Sequence, residues 1–354
     1  DRKRPLAERI EGLSSVVFQK QLGTLADKAK RSANVAAHIA SRTGGDESRA
    51  RRAAALAKCD LVTEMVLEFP ELQGIMGRYY AEHDGEDAEV ARALEEQYLP
   101  RFASDAIPQT LTGQALAIAD RLDTITGIFG IGQRPSGTKD PFALRRASIG
   151  VLNILVKGEL DLDLRELLEL AVAQHEALPK ADGLVDDVLG YMLDRFRAWA
   201  QDEGIGAEVY LAVRARPVTR PLDFARRLRA VAQFATRDEA AALAAANKRV
   251  GNILSKQDHD GRTEVDESLL SEDAEKALKN AVAACQEQVA PLFQQARYSD
   301  ALDVLASLRA PVDAFFDQVM VMAEDEAVRA NRLALLASLQ ALFLEVADIA
   351  ELQQ

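Results

Sequence analysis

Cysteine is almost missing from this chain. Cys59 and Cys285 are the only two in 354 residues, and they lie far apart. No disulfide framework and no CxxC site can be built from them, which fits a reducing cytoplasm. Aromatic residues are scarce too, at 5%, with Trp199 the single tryptophan. A core must then be built from Ala, Leu, Val and Ile, and the 48% hydrophobic content is enough for one in each of two or three domains. No apolar run reaches the roughly 18 residues of a membrane span, and no signal-peptide pattern is visible. The expectation is a cytoplasmic protein with no membrane partner. The chain starts at Asp1 without an initiator Met, which predicts a piece of a longer protein. Strand-like alternation is nearly absent, Glu208 to Val213 being the closest approach. Positive charge is not in excess, since the formal net charge is −13. A basic total therefore drives no nucleic-acid binding, and DNA is not expected. A local basic patch would still serve RNA. P-loop, GxGxxG and HExxH motifs and a Ser-His-Asp order are all missing, and no pair of carboxylates stands out for acid–base work.

What is present reads as helix. Ala, Leu, Glu and Arg dominate, with apolar residues at three- and four-residue spacing. Short helices are expected after Pro5, then one long helix through LGTLADKAKRSANVAAHIASRTG, stopped by Gly44-Gly45. A helix over about 47–69 is ended or interrupted by Pro70. Gly74 and Gly77 allow close helix approach, and a further helix runs over about 86–97. Thr112 is expected to cap the apolar helix carrying Asp120 and Asp123. Two more helices are expected over 161–203. A further helix is expected from Thr236 as cap, with acids early and bases late to suit the helix dipole. Helices near 272–290, 298–306, 311–322 and 326–352 follow.

The stretch 132–155, GQRPSGTKDPFALRRASIGVLNIL, is the most informative. Asp140 and Pro141 suit the start of a helix. That would place Arg145 and Arg146 in the first turn or two, beside a loop holding Arg134, Gly137 and Lys139. The spacing fits a capped helix with solvated arginines, and it equally fits a phosphate or RNA-backbone contact. Residues 214–229 are arginine-rich with one acid, Asp223. They read as a solvated helix face or as an edge facing RNA or another subunit. Lys248, Arg249 and Asn252 lie within about one helical turn, as do Arg329, Asn331 and Arg332. These residue types bind phosphates and base edges, or form helix-surface and helix-packing contacts. Phe315 and Phe316 read as core rather than as stacking platforms. His83, His175 and His259 sit in polar contexts and are expected to be exposed.

His38, Cys59-Asp60 and Asp120 fall on successive helices in a layout that resembles HD-type helical domains. Those hold a divalent metal with a His, a His-Asp pair and a later Asp, and activate water on a phosphate. Here Cys59 replaces the His of the pair. A retained scaffold with Asp60 and Asp120 in buried hydrogen bonds is the expectation, a metal-dependent phosphohydrolase the alternative. No metal site is assigned.

KCDLVTEMVLEFPELQGIMGRYYA at 58–81, ADRLDTITGIFGIGQRPSGTKDPFALRRASIGVLNIL at 119–155, ANKRVGNILSK at 246–256 and PVDAFFDQVMVMAEDEAVRANRLALL at 311–336 together resemble the beta subunit of bacterial heterotetrameric glycyl-tRNA synthetase. The last two resemble its DALR-type anticodon-binding domain. The resemblance covers the whole chain, as the C-terminal half of that subunit. It implies an all-α fold: an HD-like domain over 1–160, a helical extension over 161–235 and an anticodon-binding bundle over 236–354. It implies that the whole enzyme attaches glycine to its tRNA with ATP and Mg in an alpha2beta2 assembly. The alpha subunit would hold ATP and glycine, and the beta subunit would bind glycine tRNA. This chain alone would hold no cofactor and catalyse nothing. Lys248, Arg249, Asn252, Arg329, Asn331 and Arg332 are then candidates for the anticodon arm. Arg134, Lys139, Arg145 and Arg146 are candidates for tRNA backbone elsewhere or for an interdomain anchor. A purely structural arm without tRNA contact is the remaining alternative.

Overall fold

The computed structural model describes residues 1–102, 104–257 and 261–353. His259 lies outside the described residues. The described chain is helical apart from a minimal antiparallel hairpin, β1 Val17–Gln19 and β2 Gly23–Thr24. It divides into two compact units: Asp1–Phe196 with Thr219–Leu222, and Arg197–Val218 with Asp223–Gln354. After a 3-10 helix over Leu6–Ser15 and the hairpin come α1 Leu25–Thr43, α2 Glu47–Leu56, α3 Glu64–Glu68, α4 Ile75–His83 and α5 Ala88–Glu96. Next are α6 Leu111–Gly130, α7 Leu144–Lys157, α8 Leu164–Ala173 and α9 Leu184–Leu193. The chain continues as α10 Phe196–Asp202, α11 Ala207–Arg214, α12 Pro221–Ala235, α13 Asp238–Lys256, α14 Asp273–Gln294, α15 Tyr298–Leu305, α16 Arg309–Gln318 and α17 Glu326–Leu344.

Local chemistry sets the helix ends. Thr24 and Asp27 form a capping box at the start of α1, and Gly44 ends it in the left-handed region at φ 78°. Several sequence-based boundaries move. The expected helix over 47–69 is three pieces, because Lys58–Thr63 breaks it with a 3-10 turn and Thr63 caps α3. Thr110, not Thr112, caps α6; the Thr112 hydroxyl donates to Glu89 instead, at 2.8 Å. Glu208–Val213 is helical, within α11. Thr236 caps nothing, since its hydroxyl donates back to the Gln233 carbonyl. The stretches expected as helices over 311–322 and 326–352 stop at Gln318 and Leu344.

In the first unit α6 is the axis. It packs against α1, α2, α5, α7, α8 and α9 and is buried on nearly every side. In the second unit α17 has that role, against α13, α14 and α15. Its length and hydropathy would suit a membrane span, yet more than half of its apolar window is buried inside the protein. It is a core helix here.

Asp60 explains the glycines at the start of α4. Its carboxylate accepts the Gly74 amide at 2.6 Å and the Gly77 amide at 3.2 Å. Gly74 has φ 81°, and a Cβ on it would meet the Tyr98 ring at 2.5 Å. Gly74→Ala should therefore cost about 3 kcal/mol, combining overpacking with left-handed strain. Urea unfolding checks this, and a wild-type midpoint would contradict it.

Candidate nucleic-acid interface

Asp120 lies on α6, and one carboxylate oxygen faces two ammonium groups, Lys28 Nζ at 3.4 Å and Lys58 Nζ at 3.3 Å. Burial alone would raise its pKa, but Lys28 and Lys58 outweigh that and hold it well below the usual aspartate range. Lys28 also donates to the Asp120 carbonyl and the Thr124 hydroxyl, both at 2.7 Å. Lys58 donates to Gln97 at 2.7 Å and lies over the Tyr98 ring. A divalent cation entering here would meet two fixed positive charges, so the residues present do not fit one. Cys59 is buried, its Sγ facing the Ala55 carbonyl, and burial followed by nearby Asp60 pushes its pKa up to about 12. It is a thiol, not a ligand thiolate. His38 Nε2 pairs with Glu166 on α8 at 3.1 Å. Among the described residues no three His, Cys, Asp or Glu side chains come together as a metal group.

Asp123, one turn on, binds Arg31 and Lys28, and His175 Nε2 lies 3.6 Å from it. His175 is thus buried, against the expectation of exposure. Burial lowers its pKa more than Asp123 raises it, so the ring stays neutral at pH 7. His83 is exposed as expected.

The 132–155 stretch also departs in detail. Pro141 does not open the helix; Ala143 precedes α7 in the left-handed region at φ 53°. Asp140 still caps it from a distance, accepting the Leu144 and Arg145 amides at 2.8 and 3.0 Å. Arg134 is paired with Asp187 and lies over the Phe129 ring. Arg145 bends back to the Gly137 carbonyl. The Lys139 and Arg146 side chains are exposed, with no side-chain hydrogen-bond or ion-pair partner among the described residues, while the Lys139 backbone pairs with Ser136.

In the second unit α13 presents Lys248, Arg249, Asn252 and Lys256 on one exposed face, at spacings of one and two turns. They line an open groove of about 460 Å³ with Ile253 and Met322. The Arg249 guanidinium lies 4.2 Å over the Phe316 ring, so its charge stays available while its plane is held. Phe315 is core as expected, whereas Phe316 is half-buried and serves as this platform. Lys248 reaches the Gln353 carbonyl at 3.1 Å. The second basic mark splits. Arg329 is half-buried on the Ala323 carbonyl at 3.0 Å. Asn331 and Arg332 turn inward. Asn331 holds both backbone groups of Asp266. Arg332 pairs with buried Glu275 and donates to the Met320 carbonyl at 2.7 Å. Burial pushes the Glu275 carboxyl up, but Arg332 and the Glu272 and Ser271 amides win and leave it lowered.

The described residues form an all-α protein, and the DALR anticodon binding domain family matches residues 243–350, within the second unit. The description "Glycyl-tRNA synthetase beta subunit" matches residues 1–215, and the chain belongs to that family. A glycine–tRNA ligase beta subunit of Chromohalobacter salexigens is 75% identical over 354 residues, covering 100% of this chain and 52% of the relative. One of Marinobacter nauticus is 58% identical over 350 residues, covering 99% and 50%. One of Haemophilus influenzae is 55% identical over 353 residues, covering 100% and 51%. The chain spans about half the length of these relatives.

Two results should follow from the charge pairs. Asp120→Asn should cost about 3 kcal/mol at neutral pH, since buried Lys58 loses its ion-pair partner and Lys28 keeps only Asp123. With its folded-state pKa lowered, Asp120 stabilises fully above the ordinary aspartate range, and that stability drains as pH falls through and below it. The variant should thus lose less between about pH 4 and pH 2 than wild type does. Arg332→Ala should cost about 3 kcal/mol, against less than about 1 for Arg249→Ala. Denaturant unfolding reads both, and equal costs for the two arginines would contradict the buried-versus-exposed assignment.

Proposed function

We propose that this chain is the tRNA-binding portion of a glycine–tRNA ligase beta subunit. In the whole ligase it supports ATP- and Mg-dependent attachment of glycine to its tRNA, in the cytoplasm. A separate alpha subunit carries the catalytic site, in an alpha2beta2 assembly, and the chain by itself is inactive. The observation that carries the tRNA reading is the α13 face, where a cationic edge with a plane-held arginine borders an open groove. Lys248, Arg249 and Asn252 contact the anticodon arm there, with Arg329 at its margin. Asn331 and Arg332 are removed from the contact set by their burial and act by positioning. Lys139 and Arg146, whose side chains are free among the described residues, contact tRNA backbone elsewhere, while Arg134 on Asp187 and Arg145 on the Gly137 carbonyl act by positioning. The phosphohydrolase alternative is disfavoured by the two lysines on Asp120.

Binding of glycine tRNA and of an anticodon-substituted tRNA, at two salt concentrations, tests this. The native anticodon should bind roughly tenfold more tightly, a difference of about 1.4 kcal/mol. Arg249→Ala should remove that preference and reduce the salt slope by about one. Equal binding of both tRNAs would confine recognition to the backbone, and no binding of either would leave the chain a structural arm.

A further inference from the structure

The segment 97–102 of the first unit is held from within by one arginine. Arg121 on α6 is half-buried there and holds that segment by its carbonyls. Its guanidinium donates to Gln97 O at 3.0 Å, Tyr98 O at 3.3 Å and Pro100 O at 3.2 Å. The Arg101 amide is fixed by Asp105 at 2.8 Å. This scaffold presents Arg101 and Phe102 outward, the Phe102 side chain being 60% exposed. The exposed ring thus stands on a tightly held segment.

Two small pockets adjoin it, and Arg146 belongs to both. One, of about 380 Å³, is polar, with Arg101, Arg146, Gln73, Tyr98 and Glu71. The other, of about 290 Å³, is apolar, with Phe102, Pro100, Ile149, Gly150 and Asn153 beside Arg146. Both are near the lower limit of small-ligand sites, about 300 Å³. Arg101 and Arg146 have no side-chain hydrogen bond or ion pair among the described residues. Other arginines of this unit, Arg49, Arg52, Arg78 and Arg134, are paired with carboxylates. The one acid in the polar pocket, Glu71, repels an anion on its own side and directs it towards the arginines.

We infer that these pockets together take one unpaired nucleotide of RNA, with its phosphate on Arg101 and Arg146 and its base on Phe102. The inference rests on the tRNA reading above. An unpaired nucleotide is required because a base within a duplex has no free face for the ring.

The test uses the whole chain and three probes: a labelled single-stranded RNA hexamer, an RNA duplex of the same length, and glycine tRNA. Phe102→Ala should weaken hexamer binding about 5- to 100-fold and leave duplex binding unchanged, with Phe102→Tyr restoring it. Arg101→Ala with Arg146→Ala should weaken the hexamer and lower its salt slope by about one. All four side-chain changes lie at the surface, so thermal unfolding should match wild type. Wild-type hexamer affinity in the Phe102 and arginine variants overturns the site. So does a hexamer left unbound by a wild-type chain that binds glycine tRNA. In both cases, tRNA binding that still depends on Arg249 leaves the functional reading intact. Absence of glycine tRNA binding by wild type overturns the functional reading and this site together.

Discussion

One turn of α6 carries the organisation of the first unit. Asp123 is buried and Asp120 and Arg121 are half-buried, and each charge is engaged, the two aspartates sharing Lys28. Asp120 ties Lys28 of α1 to Lys58 after α2. Arg121 gathers three carbonyls of the segment after α5. Asp123 returns to α1 through Arg31 and Lys28. Charges in such a place are costly unless every one is paired, and a knot in which all are paired resists rearrangement. The Asp120 position is where the resemblance to HD-type domains would put a metal ligand. Two ammonium groups supply the positive charge there instead, so the scaffold keeps its electrostatic centre while giving up the chemistry.

The same principle sorts the arginines. In a chain with net charge −13, acids outnumber bases and most arginines find a carboxylate. An arginine that finds none, or that is held by an aromatic face alone, retains its charge for an anion from outside. Arg249, Arg101 and Arg146 are of this kind, while Arg134, Arg145 and Arg332 are engaged within the protein. Net charge says little about RNA binding here; the pairing state of individual guanidinium groups says more.

The all-α class and most of the helices were legible because Ala-, Leu- and Glu-rich stretches with helical spacing seldom fold otherwise. Boundaries were less so. Asp140 caps α7 through two amides three residues beyond Pro141, a geometry that depends on Ala143 adopting a left-handed conformation. The break after Leu56 follows from Asp60 needing the Gly74 and Gly77 amides, a contact invisible in local sequence. The candidate site was legible as residue types but not as roles. Arg329, Asn331 and Arg332 sit side by side, and a helix turns adjacent positions about 100° apart, so neighbours face different surroundings. Arg101 and Phe102 gave no signal, because their exposure is created by Arg121, which is distant in sequence. The partnerless state of Arg146 is likewise a property of the fold.

The buried arginine of the second unit still bears on the groove. Arg332 donates to the Met320 carbonyl and pairs with Glu275, whose carboxylate accepts the Ser271 and Glu272 amides. One ion pair thereby fixes both the start of α14 and the loop between α16 and α17. That loop carries Met322, a wall of the groove lined by Arg249. Asn331 fixes Asp266 in the same way, through both of its backbone groups. The inward residues of RANR and the outward residues of NKR are therefore parts of one device. The first set holds the wall in place, and the second presents charge beside it. An arginine on a helix surface moves freely and loses entropy when it binds, whereas one stacked on Phe316 beside a fixed wall has already lost most of it. Preorganisation of this kind leaves a few charges on an acidic protein poised for an anionic ligand.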